Sequence, residues 1–101
     1  MEIVKADEYE DIAMEFQHQI VEILDKTLKE KGISLENRSD ICGDFSFDLA
    51  MLLDEGSLKT EGGSFVPSLA FESGQKLLVN SGVLYHEYAF GVSSAYFEEN
   101  A

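Results

Sequence analysis

Three acids stand at successive i,i+4 positions in this chain: Asp40, Asp44 and Asp48, with Glu55 further along. On a helix that spacing puts the three carboxylates on one ridge, where like charges destabilise by about 0.2–0.5 kcal/mol per pair. A ridge that works against its own helix is suited to attracting something positive: a basic protein surface, a cation or a polyamine. Phe47 and Met51, themselves four residues apart, are expected beside the ridge and off the inner stripe of the helix. Carboxylates edged by a ring and a thioether have the make-up of a protein-binding surface more than of a metal site. The plainer reading packs Phe47 and Met51 under a sheet or loop and leaves the aspartates as ordinary surface.

A second group is His86 beside Glu87, with Tyr85 and Tyr88 around it. Imidazole near acids and phenols has the chemistry of proton transfer or ligand binding. On a strand, neighbouring residues face opposite ways, so His86 and Glu87 do not form a dyad. Asp44 or Asp48 would have to complete the pair. The bland reading is a histidine packed among aromatics and bonded to backbone.

A third is Glu15-Phe16-Gln17-His18, the Glu-x-x-His spacing of carboxylate-bridged di-metal bundles. Those sites use two such pairs projecting inward. Here one pair shares an outer face with Asp11 and Glu22, and that face is expected to meet water. Gly62-Gly63-Ser64 lacks the lysine and the following helix of a phosphate loop. Two histidines and one cysteine do not supply a closed zinc site. No metal and no cofactor is therefore expected.

Behind these groups lies the overall charge. Twenty Asp and Glu oppose seven Lys and Arg, a net of −13 over 101 residues. Repulsion from phosphates argues against a nucleic-acid partner. The acidity is uneven. Residues 1–32 hold nine acids and four bases, and residues 33–63 hold seven and two. Residues 64–101 hold only four and one. Hydrophobic residues make up 45% and aromatics 11%, a globular composition in a chain long enough for one modest core. Cys42, the one cysteine, excludes an internal disulfide and suits a reducing compartment. The first residues show no basic and apolar leader, and no run has the length of a membrane span. A cytoplasmic setting without a membrane is the expectation.

The elements that must position these residues follow from periodicity. Tyr9, Ile12, Ala13, Phe16, Ile20, Ile23, Leu24, Thr27 and Leu28 make a helical stripe. Asp7 and Glu10 have capping-box spacing, lysines crowd the far end, and Gly32 is the stop. A second helix is expected from Asn37 or Ser39 to Glu55, with Ile41, Cys42, Phe45, Leu49, Leu52 and Leu53 inward. Residues 56–64 read as a loop.

Runs at 65–71, 75–80 and 83–92, punctuated by Ser73-Gly74 and Ser81-Gly82, then read as a three-stranded antiparallel meander. Pro67 would make the first strand an edge. Two-residue turns would set Lys76 opposite Phe71 and Glu87, and Leu78 opposite Leu69 and Tyr85. The competing reading of residues 84–98 is a helix, since Tyr85, Tyr88, Ala89, Val92 and Tyr96 also make a stripe. The tail 93–100 is expected to hold at most a short helix.

The expected architecture is α+β in one domain, residues 1–101. A helical half, 1–56, packs on a sheet half, 64–92, with a possible short C-terminal helix. Because both meander faces are apolar, a homodimer through the sheet is expected. The expected function is a non-catalytic acidic interaction protein that binds a basic protein surface. Its contact residues would be Asp40, Asp44, Asp48, Phe47 and Met51. The alternative is a small-molecule-binding domain or minor enzyme with a pocket at His86, Tyr85 and Tyr88.

Overall fold

The first helical stripe does form one long helix. In the computed structural model, which describes residues 1–100, β1 (Glu2–Val4) leads into α1 (Tyr9–Glu30) and α2 (Leu35–Glu55). A hairpin follows, β2 (Leu58–Thr60) and β3 (Gly63–Phe65), then β4 (Phe71–Ser73), β5 (Lys76–Leu78) and α3 (His86–Glu99). The class is α+β: three helices with a small mixed sheet.

Gly32 ends α1 as expected. It sits at φ +78°, which only glycine adopts cheaply. Its N–H reaches the Lys29 carbonyl while that of Ile33 reaches Leu28, the paired bonds of a Schellman stop. The Asp7–Glu10 capping box does not form: α1 starts after Glu8 without a side-chain cap. Helix α2 begins earlier than the sequence suggested, because the Ser34 hydroxyl accepts from the Asn37 N–H at 3.3 Å.

The meander is the main correction. Its third strand is a helix, α3, which follows the competing reading. Two devices turn the chain there. The Asn80 side chain accepts from the N–H groups of Gly82 and Val83 and donates to the Val83 carbonyl, closing a local turn. Asp54, from the end of α2, then accepts from the N–H groups of Tyr85 and His86, both at 2.8 Å. Those are donors at the start of a helix, left without intrahelical partners. The third place in the sheet goes to β1, parallel to β5, with Glu2 opposite Lys76 and Val4 opposite Leu78. The order is β1-β5-β4.

The β4–β5 register slips by two residues from the expected one. Gly74 and Gln75 form the turn, with Gly74 at φ +62°. Leu78 therefore faces Phe71, and Ser73 faces Lys76. A two-residue slip keeps each side chain on its face. The Lys76–Glu87 pairing is absent because Glu87 lies in α3. Pro67 lies outside the strands, and the expected loop at 56–64 contains most of the exposed β2–β3 hairpin.

The core has two parts. Tyr9, Ala13, Ala50, Leu78, Tyr85 and Ala89 form the one nearer the sheet, and Val21, Cys42, Tyr96 and Phe97 the other. Small residues sit where the helices cross. On α2 the buried face is Cys42, Gly43, Ser46 and Ala50. Of the expected inner stripe Cys42 is buried and Leu49 and Leu53 are half-buried, while Ile41, Phe45 and Leu52 face solvent. No helix among the described residues is long and apolar enough to cross a membrane.

The three helices are also tied by a polar knot. Asp25 of α1 takes Arg38 Nε of α2 at 2.6 Å and the Tyr96 hydroxyl of α3 at 2.8 Å. Arg38 Nη1 donates onward to the Ile33 carbonyl at 2.7 Å. Burial and the bond to Asp25 push the Tyr96 hydroxyl up from 10.0 to about 12.

Candidate functional site

Helix α2 places Asp40, Asp44 and Asp48 in an exposed row. Among the described residues, no lysine or arginine pairs with them. The one base on α2, Arg38, is turned to Asp25. The row is thus unneutralised, and each neighbouring pair of its charges repels.

The two apolar residues expected beside it are less exposed than that reading required. Phe47 is half-buried, stacked on Phe90 with ring centroids 5.1 Å apart and edge-on to His86 at 6.3 Å. Met51 is also half-buried. Neither projects freely beside the acids. The exposed apolar residues are Phe45 at 46%, Leu52 at 43% and Ile41 at 39%. Phe45 and Leu52 precede and follow Asp48 by three and four positions, so they are its surface neighbours.

On the other side of the row is a cleft of about 210 Å³ between α2 and α3, lined by Asp40, Asp44, Phe90 and Ser93 among others. Phe90 is 50% exposed. Its ring lies over Gly43, where an added Cβ would come within 3.6 Å of it. The acidic row therefore has the exposed strip of Ile41, Phe45 and Leu52 on one side and, on the other, the exposed ring of Phe90 in a cleft otherwise lined by small and polar residues.

Sequence reasoning missed these flanks for two reasons. Phe90 was placed on a strand that does not exist. Phe45 and Leu52 were turned inward because a 3.6-residue stripe of large residues was read as the core. The pertinent signal was the run Cys42, Gly43, Ser46 and Ala50, small residues at close helical spacing that admit a neighbouring helix.

The His86 group is brought together differently. The acid beside the imidazole is Asp54, with Nδ1 2.6 Å from its Oδ2. The Asp54 side chain is 1% exposed and that of His86 29%. Asp54 also accepts from two backbone N–H groups, so its carboxylate is committed to starting α3. No hydroxyl or thiol among the described residues bonds to the imidazole.

Tyr85 is buried, its hydroxyl 2.6 Å from that of Tyr9, which donates to the Leu69 carbonyl. With the Tyr9 proton spent on that carbonyl, Tyr85 donates to Tyr9. Burial first, then that bond, raises the Tyr85 pKa. Tyr88 donates to Glu10 at 2.8 Å, which raises its pKa as well. The two tyrosines do not converge on His86. They serve the core and the α1 edge.

Cys42 is buried, and burial pushes its thiol up to about 11, so at neutral pH it is a packed thiol and not a nucleophile. Among the described residues no group of three or more His, Cys, Asp and Glu is placed to hold a metal ion. The Glu15–His18 pair lies on α1 next to α3, in a groove that the sequence reading assigned to open water.

No family model, curated protein or solved structure matches this chain.

Proposed function

We propose that the chain is a non-catalytic binding protein, and that the Asp40/Asp44/Asp48 row receives a basic, amphipathic segment of a protein partner. The observation that carries the proposal is the placement of an unpaired acidic row between an exposed apolar strip, Ile41, Phe45 and Leu52, and the exposed Phe90 ring. Charge alone would draw any polycation. Phe90 on one side, with Phe45 and Leu52 on the other, adds apolar contact for side chains that alternate with lysine or arginine. Complementary charge of this kind speeds the encounter, while desolvated aromatic contacts slow the release. A nucleic acid would be repelled by the same surface. The occupied state of Asp54 and the dispersal of Tyr85 and Tyr88 favour this reading over a pocket at His86.

The homodimer expected from sequence rested on a two-faced meander. What remains for a second copy is an outer edge of the sheet, β1 or β4, each a strand of three residues. Light scattering at micromolar concentration decides that point, and a monomer leaves the proposal for the row intact.

The proposal is tested by amide NMR with a defined probe, a helical peptide of lysines and leucines. Shifts should gather at residues 40–52 and around Phe90, and weaken as salt rises across the Debye-length range of about 10 Å to about 3 Å. Shifts scattered evenly over every acidic face would show that the charge serves only solubility.

A further inference from the structure

Phe90 is the exposed aromatic of the α2–α3 cleft, and a chain of contacts fixes where its ring stands. Phe47 stacks on one face, with 5.1 Å between centroids and 17° between planes. One edge of the ring lies 3.6 Å from where a Cβ on Gly43 would be. Phe47 is braced edge-on by His86 at 6.3 Å, and the His86 imidazole is held 2.6 Å from the nearly buried Asp54 carboxylate. A ring that is 50% exposed yet fixed in this way loses little freedom when something lies on it.

The rest of the cleft is rich in hydrogen-bond acceptors. Asp40 and Asp44 are one helical turn apart and both adjoin Gly43 on the α2 surface, so their carboxylates border the place where the ring meets α2. Ser39 from α2, with Ser93 and Ser94 from α3, adds hydroxyls, and the lining contains no lysine or arginine. Ser93 is only 3% exposed and lines the cleft. Its hydroxyl has no hydrogen-bond partner among the described residues, whereas that of Tyr96, three residues on along the same helix face, bonds to Asp25. Buried polar groups are normally partnered. The volume of about 210 Å³ falls below the roughly 300–1,000 Å³ of small-ligand sites and suits one long side chain.

We infer that this cleft takes an arginine side chain of the basic segment, an assignment that rests on the row being the binding surface proposed above. The guanidinium lies on the exposed part of the Phe90 ring and turns its N–H edge to Asp40 and Asp44. It is planar and weakly hydrated, so exchanging water for a ring face costs it less than it costs an ammonium. Its five donors match carboxylates from α2 and hydroxyls from α3. Lysine satisfies a carboxylate as a point charge, but it holds its water strongly and has no plane to set against the ring. Phe90 is then the anchor point of the surface, and the partner reads it with arginine.

The test uses two leucine-bearing helical peptides that differ only in carrying lysine or arginine at every basic position. Each is titrated into the full chain at the same low salt and followed by amide NMR. The arginine peptide is expected to bind about three- to tenfold tighter, with the larger shifts at Gly43 and Ser93. Phe90→Leu should bring the two peptides to equal affinity, and Phe90→Tyr, which keeps a ring, should keep the preference. Comparing the two peptides within each variant removes any effect of the substitution on stability. Equal affinity of the two peptides for the parent chain overturns the arginine anchor and leaves the row as a binding surface. A preference that survives Phe90→Leu, or that Phe90→Tyr loses as well, overturns the anchor too. Binding of neither peptide removes the anchor and the surface together.

Discussion

Two sets of aspartates in this chain behave in opposite ways. Asp25 and Asp54 are buried or half-buried, and every contact they make reaches another element. Asp25 joins α1 to Arg38 of α2 and Tyr96 of α3, while Asp54 joins α2 to the first turn of α3. Asp40, Asp44 and Asp48 are exposed, and among the described residues no cation pairs with them. The first set turns charge into fold. The second leaves charge unspent on a surface. The net of −13 is therefore not one property: a few acids are structural joints, and the row on α2 is available for an outside partner.

The sharpest way to break this comparison is at the buried set. Asp25→Ala leaves the Arg38 guanidinium and the Tyr96 hydroxyl without their shared acceptor. Loss of one partner of a buried pair costs about 3–5 kcal/mol. Urea unfolding should show that loss, or no cooperative transition at all. A change near zero would mean that water already serves these groups. Asp54→Ala comes next. It orphans two backbone donors and the His86 imidazole, for about 1–3 kcal/mol. Hydrogen exchange should quicken first at residues 85–89. Uniform quickening along the chain would contradict a local joint.

Alkaline pH probes the same knot more gently. A hydroxyl that ionises less readily when folded stabilises fully below its unfolded value and loses that contribution as pH rises through the folded one. With Tyr96 raised from 10.0 to about 12, thermal stability should fall between those values. Tyr96→Phe should flatten part of that fall. An unchanged profile would remove Tyr96 from the account.

The smallest effect on stability belongs to the exposed set. Asn at positions 40, 44 and 48 removes two like-charge i,i+4 pairs. The melting temperature should hold or rise slightly, in keeping with about 0.2–0.5 kcal/mol per pair. Clear destabilisation would mean that the row has structural partners after all.

Much of this was legible in the chain. The long periodic stripe, the lysines and Gly32 gave α1 and its stop, whereas the small residues around Cys42, a trace of the α2–α3 contact, were passed over for a stripe of large ones. The start of α3 was not legible, for a physical reason. Its cap is supplied by Asp54, more than thirty residues upstream, and its own N-cap position holds Tyr85. With no local cap, aromatic and β-branched residues between 83 and 92 imitated a strand. The parallel partner β1 was hidden as well, since Ile3-Val4 is too short to announce a strand. At the candidate site the row itself was readable, because i,i+4 spacing needs only that α2 be a helix. Its apolar flanks were not, because Phe45, Phe47 and Phe90 change sides with the packing of α3.

The central claim is that the unpaired row exists for binding. Its most direct test is the affinity of the lysine–leucine helical peptide for the parent and for the Asp40→Asn/Asp44→Asn/Asp48→Asn chain at low salt. The account predicts at least about a tenfold loss of affinity, with a shallower salt dependence, in a variant that melts no lower than the parent. Equal affinity and equal salt slope in the two proteins would contradict it.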